Sequence, residues 1–343
     1  PVTGPAPSSR TAVRGGQVRV PASRASEAGA PRVRRWMPKG DLHLGLALGP
    51  LRRGPGDPAF RVGSDGAVWR ASRTPDGPGT IRIARDGAEV VAEAWGPGGP
   101  WLLDGLPALL GADDDPSVFV PRHRLVHEAH RRYPGLRLCR TGLVLESLIP
   151  SILEQKVTSD EAYRGWRLLL QRFGEPAPGP ASEDSGGGGR GGVSGRLRVM
   201  PDPRGWAMIP SWEWHKAGVD AKRAETVIRA ARAARRLEEA AGMPSAEAAA
   251  RLRLIPGIGP WTAAETLQRS NGCPDAVTVG DLHLPGIVGY ALTGQRGLDD
   301  AAMLELLEPY AGQRHRAARL VLLSGRVPER RAPRFSVRDF RAM

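Results

Sequence analysis

The sequence is poor in cysteine and lysine, and it has no long apolar run. Cys139 and Cys273 are the only cysteines in 343 residues. Neither has a Cys or a close His neighbour at metal-ligand spacing, which excludes a structural zinc and a cysteine-ligated iron–sulfur cluster. Two isolated thiols fit a reducing compartment, so a cytoplasmic protein is expected. No apolar stretch reaches the roughly 18 to 20 residues that cross a bilayer, and no charged-then-apolar segment opens the chain, so neither a membrane nor a secreted protein is expected. Lysine supplies only Lys39, Lys156, Lys216 and Lys222 of the 49 basic side chains. An arginine bias with abundant Ala, Gly and Pro fits a GC-rich genome.

What is abundant is positive charge. The formal net charge is +13 and the pI near 10.9, a balance that fits a nucleic-acid partner. Its position qualifies that reading. Residues 1–35 hold seven arginines against Glu27, and residues 326–343 hold six against Glu329 and Asp339, so the two ends carry ten of the thirteen charges. Residues 1–35 mix Pro, Ser, Gly, Ala and Arg without periodicity and are expected to be a disordered basic tail. Residues 326–343 are expected to be a second basic tail.

Between them the patterning changes once. From Trp36 to about Trp95 the apolar period is two: Leu42, Leu44, Leu46 and Leu48 alternate, as do Ile81 and Ile83, and Asp65-Gly66 and Asp86-Gly87 are hairpin signals. This predicts a small antiparallel sheet domain over 36–118, with Trp101 to Leu110 as a short helix on one face. Over 119–325 apolar residues recur three and four apart, which predicts an all-helical core. The polar, low-complexity segment 175–198, with its run Gly186 to Gly189, interrupts it as an expected mobile loop. The fold class is α+β, a sheet followed by helices.

The most informative stretch is Leu254-Ile255-Pro256-Gly257-Ile258-Gly259-Pro260-Trp261-Thr262-Ala263. Ser245 can cap a helix that Pro256-Gly257 ends, Gly259 permits a tight turn, and Pro260 suits the first position of the next helix. The prediction is a helix-hairpin-helix over 245–269. Free N–H groups at the second helix start would suit a phosphate, and the two glycines would let the backbone come close to it. A plain glycine turn between packed helices is the simpler alternative.

This stretch resembles the helix-hairpin-helix of the base-excision DNA glycosylase superfamily. That superfamily carries an essential Asp about twenty residues after the hairpin, and Asp281, in Gly280-Asp281-Leu282-His283-Leu284, lies 22 residues after Gly259. Ile152-Leu153-Glu154-Gln155-Lys156-Val157-Thr158 and Gly218-Val219-Asp220-Ala221-Lys222-Arg223-Ala224-Glu225 resemble segments of the bacterial 3-methyladenine DNA glycosylase II group. The resemblance covers roughly 36–325. It implies that Asp281 is the catalytic carboxylate, stabilising positive charge on the sugar as the base departs. Capping of the helix from Leu282 is the alternative role, and the two are compatible.

The resemblance implies further assignments. Strand-cutting members carry a nucleophilic Lys where this chain has Trp261, so a monofunctional hydrolase is implied. Trp261 and Glu265 are assigned to the base pocket, Trp261 as a ring that would attract a cationic alkylated purine; the family has an aromatic at the Glu265 position. Lys156 stands where the family wedges an apolar side chain into the duplex. Gln155, Lys156, Gly257, Ile258, Gly259 and Thr262 are assigned to DNA, with hairpin carbonyls holding a monovalent cation. His283 is a phosphate contact or a solvated helix-start residue. Trp206, Trp212 and Trp214 are structural or substitute aromatic surface. The expected function is removal of a 3-methyladenine-type base from double-stranded DNA by a monomer associated with the nucleoid, without an organic cofactor. The alternatives are a non-catalytic DNA-binding module and a glycosylase for another damaged base.

Overall fold

A computed structural model of the chain describes residues 30–182 and 196–329. Most of both expected tails, 1–29 and 330–343, and the middle of the 175–198 segment lie outside the described residues.

Five strands, β1 (Arg32–Trp36), β2 (Phe60–Val62), β3 (Val68–Thr74), β4 (Gly77–Asp86) and β5 (Glu89–Trp95), form one antiparallel sheet in the order β1-β5-β4-β3-β2. Asp65-Gly66 and Asp86-Gly87 turn the β2–β3 and β4–β5 hairpins as the turn chemistry requires. A third such pair, Asp76-Gly77, turns β3 into β4. Alternation sends Ile81, Ile83, Val90 and Ala92 to one buried face, where α2 (Gly99–Asp104) and α3 (Leu106–Leu109) cover them.

Two expectations for this region are corrected. The tail predicted over 1–35 runs into β1, whose backbone pairs with β5 from Arg32↔Ala94 to Trp36↔Val90. Arg35 reaches Asp86 at 2.9 Å and Glu89 at 3.1 Å. Charged side chains suit an edge strand, which is held by its backbone and needs little burial. The alternating leucines do not make a strand either. Leu44–Leu48 is a helix, α1, capped by the ring of His43, which accepts from the Leu46 amide at 3.2 Å. Leu44 and Leu48, four apart, pack on the sheet core, while Leu46 packs on a different core. Two destinations for one short apolar run mimic a period of two.

The helical part opens with α4 (Arg124–Arg132), α5 (Val144–Leu153) and α6 (Ser159–Phe173). It continues with the short α7 (Pro203–Ala207) and α8 (Ser211–Lys216), then α9 (Ala221–Arg232), α10 (Ala234–Glu238), α11 (Ser245–Arg253) and α12 (Pro260–Ser270). Last come α13 (Leu284–Thr293), α14 (Asp300–Leu307) and α15 (Arg314–Leu323). Helices α7 and α8 carry Trp206 and Trp214; Trp206 stacks between Trp166 and Trp214 in the core, whereas Trp212 is exposed. The expected mobile loop is also corrected at its ends. Glu175–Pro176 (β6) pairs with Arg198–Val199 (β7), and Ala177, Leu197 and Val199 bury against Ala71 of β3.

The helices build two cores. One gathers α5, α6, α9, α11 and α12, and the other gathers α4, α13, α14 and α15 around Val288, Met303 and Leu320. Polar contacts tie the sheet core to both: Arg70 pairs with Glu146, Arg53 with Glu154 at 2.8 Å, and Arg319 donates to the Leu46 carbonyl at 3.0 Å.

Candidate active site

The hairpin forms as its sequence dictates. Helix α11 stops after Arg253, and Gly257 has φ +99, a left-handed conformation that side chains avoid. A Cβ on Gly257 would also collide with the Thr226 hydroxyl of α9. Gly259 differs, for its φ is −95 and a Cβ there would meet nothing within 4 Å. Its smallness serves no contact inside the chain. Pro260 begins α12 as expected, and the amides of Gly259, Trp261 and Thr262 find no acceptor among the described residues. The expected cap of α11 is corrected: Ser245 is its first helical residue, behind Pro244.

The hairpin residues divide between surface and interior. Ile258 is buried in the helical core, so its side chain anchors the loop from within and is not available to DNA. Thr262 is buried as well. Its hydroxyl accepts from Gln155 Nε2 at 2.8 Å, and the same amide donates to the Gly257 carbonyl at 3.0 Å. Gln155 thus braces the hairpin, and Gly257, one of the carbonyls assigned to a cation, already has a donor. The next residue, Lys156, is exposed with φ +56, the one non-glycine residue at positive φ among the described residues. The α5–α6 turn therefore holds this side chain outward on a strained backbone.

Asp281 lies between the hairpin and α13. Its Oδ1 accepts from the amides of His283 and Leu284, both at 2.8 Å, and its Oδ2 accepts from the Trp261 indole N–H at 3.0 Å. Capping and orientation occur together in one carboxylate. The preceding amide, Gly280 N–H, is held at 2.9 Å by Asp300, whose other oxygen is buried without a partner among the described residues.

Asp281 borders a cavity of about 390 Å³ where the three cores meet, within the range of small-molecule sites. Pro50 enters from the sheet side, Glu265 and Arg269 from α12, Leu284 and Ile287 from α13, and His315 and Arg319 from α15. Glu265 lines this cavity and is paired with Arg269 at 2.7 Å. Trp261 does not line the cavity, although its indole touches Asp281. His283 does, with its ring exposed at the rim.

Sequence reasoning missed Asp300, Arg269, His315 and Arg319. A signal existed for three of them. Trp261, Glu265 and Arg269 fall four apart on α12, and His315 and Arg319 fall four apart on α15, so each set shares one helical face. Burial and three cationic neighbours, Arg319, Arg269 and Arg316, hold the His315 imidazole well below the usual histidine range, so it is neutral near pH 7.

No protein-family model and no curated protein matches the sequence. Solved structures do match. A 3-methyladenine DNA glycosylase from Archaeoglobus fulgidus superposes with a TM-score of 0.67 and 18% identity over 85% of this chain and 98% of that one. MBOgg1 in complex with a low-affinity DNA ligand gives 0.65 and 16% over 87% and 96%. The Clostridium acetobutylicum 8-oxoguanine glycosylase/lyase, bound to double-stranded DNA, gives 0.62 and 12% over 87% and 98%. The chain has the helix-hairpin-helix DNA glycosylase fold across nearly the full length of all three.

Proposed function

We propose that this protein is a monofunctional DNA glycosylase that hydrolyses the N-glycosidic bond of a damaged purine in duplex DNA and leaves an abasic site. The observation that carries this reading is Asp281: a carboxylate fixed by three hydrogen bonds, bordering a base-sized cavity, beside a hairpin with unpaired amides. As the C1′–N bond breaks, its electron pair leaves with the base and positive charge develops on the sugar. Asp281 stabilises that charge, a water oxygen adds to C1′ and loses a proton, and the departing base gains one. The hairpin amides of Gly259, Trp261 and Thr262 bind phosphate, and Lys156 enters the space that the flipped base vacates. With Trp261 at the position of the lyase lysine, no amine there can attack the sugar.

The N-alkylpurine reading of the sequence rests on Trp261 as a cation-attracting ring. In the folded chain that indole bonds to Asp281 and stands outside the cavity lining, so the damaged base is better argued from the cavity itself. The non-catalytic alternative gives Asp281 no work beyond capping.

Asp281→Asn keeps the shape of the side chain and removes its charge. Single-turnover release from a panel of lesion-bearing duplexes is expected to fall by about 10²-fold or more while affinity for the same DNA stays within a few fold. Equal release by the wild type and the variant would reject the assignment.

A further inference from the structure

The cavity beside Asp281 has an unusual lining for a site meant to hold a cationic purine, and its chemistry can be read group by group. Among the described residues no Trp, Tyr or Phe borders it, so they offer no electron-rich ring face on which a positive base would stack. Its one anion deep on α12, Glu265, is already neutralised by Arg269, and one Glu265 oxygen is left without a donor among the described residues. Arg319 forms no ion pair among the described residues; one of its nitrogens donates to the Leu46 carbonyl and the others have no acceptor there. His315 is 7% exposed, and its ring nitrogens make no hydrogen bond among the described residues. Arg319 is partly buried and both side chains face the cavity, so a base that enters strips their water, and a donor then left unmade is costly. Two such groups four residues apart on one helix mark a surface that an incoming acceptor would complete.

From this we infer that the site selects an electrically neutral damaged base bearing a carbonyl oxygen and a ring N–H, with Arg319 and His315 recognising the oxygen and Glu265 accepting the N–H. The inference rests on the glycosylase reading above and fixes its substrate class. A carbonyl oxygen satisfies the unpaired guanidinium, while the free Glu265 oxygen takes the proton that a lactam nitrogen carries. A cationic N-alkylpurine would meet Arg319 with no anion to offset it, since Glu265 is held by Arg269 and Asp281 is committed to the sugar. Repulsion between like charges is strong where water is excluded. A neutral base lacking the carbonyl would leave both groups on α15 unpaired, a loss that discriminates more sharply than a missing methylene.

Four duplexes that differ in one base test this. Hypoxanthine and 8-oxoguanine are neutral and carry a carbonyl with a ring N–H; N7-methylguanine carries the carbonyl on a cation; 1,N6-ethenoadenine is neutral and has neither group. Single-turnover release is expressed as enhancement over spontaneous loss of the same base. At least one of the first two is expected to exceed both of the others by about tenfold or more. Arg319→Met should lower release of that base by about tenfold and leave ethenoadenine within a few fold, removing the preference. Affinity for a duplex with a tetrahydrofuran abasic analogue, which places no base in the cavity, reports whether the variant is folded and grips DNA. Release led by N7-methylguanine or ethenoadenine overturns the inference and leaves the glycosylase reading standing, as does a preference that Arg319→Met does not change in a variant that still binds the abasic analogue. Release from none of the four duplexes, with Asp281→Asn indistinguishable from wild type, overturns both.

Discussion

Trp261 and Asp281 form a pair whose value lies in direction. The carboxylate takes two amides on Oδ1 and the indole N–H on Oδ2, so each oxygen is held and neither can swing. A hydrogen bond of this kind contributes about 0.5–1.5 kcal/mol. Trp261→Phe keeps an aromatic side chain but removes the five-membered ring with its N–H donor. It is expected to slow single-turnover base release by about three- to tenfold with thermal stability nearly unchanged. A loss as large as that of Asp281→Asn would mean that the ring does more than orient the carboxylate. Borohydride should trap no covalent complex with DNA through position 261 in either protein, because neither an indole nor a phenyl ring forms a Schiff base.

At the scale of elements, the hairpin separates two glycines that look alike in sequence. Gly257 is required by the chain itself, through φ +99 and the closeness of Thr226, whereas Gly259 has an ordinary φ and open space where a Cβ would go. Gly257→Ala should therefore destabilise the fold by about 1–3 kcal/mol, seen as a lower thermal midpoint. Gly259→Ala should leave stability within about 0.5 kcal/mol yet weaken DNA binding by roughly fivefold or more, because its methyl group stands where phosphate approaches. If both substitutions act only on stability, the hairpin is a packing device and does not touch DNA. The same elements show how far sequence could reach. The turn at Pro256-Gly257 and the Asp-Gly hairpins are local signals that form as read, and Asp281, 22 residues after Gly259, lies beside the hairpin against the Trp261 indole. The cavity lining is not local: His315 and Arg319 of α15 border the same cavity as Glu265 of α12 only through the tertiary arrangement, and no periodicity encodes that meeting. The helix at Leu44–Leu48 escapes a local reading for the same reason, since its leucines serve two cores that are distant in sequence.

At the scale of the molecule, the basic ends and the folded part are expected to have separable tasks. Residues 1–29 carry Arg10, Arg14, Arg19 and Arg24, while Arg32, Arg34 and Arg35 belong to β1. Deleting 1–29 should reduce the slope of log affinity against log salt by up to roughly 3 to 4, about 0.9 for each phosphate that is no longer neutralised, without changing base release at saturating protein. Deleting 1–36 also strips the edge strand from β5 and should lower the thermal midpoint by about 5 °C or more. Equal midpoints for the two truncations would show that β1 adds nothing to the sheet's stability.

The junction of three cores at the cavity has a consequence for what happens after the bond is broken. On the proposed function, a free base seated there touches walls drawn from all three cores, so it acts as a cross-link between them. By linkage, anything bound only to the folded chain raises its stability by RT ln(1 + [L]/Kd), and here that gain falls on the seams where the cores join. A protein made more rigid at this junction is therefore expected to hold its product longer.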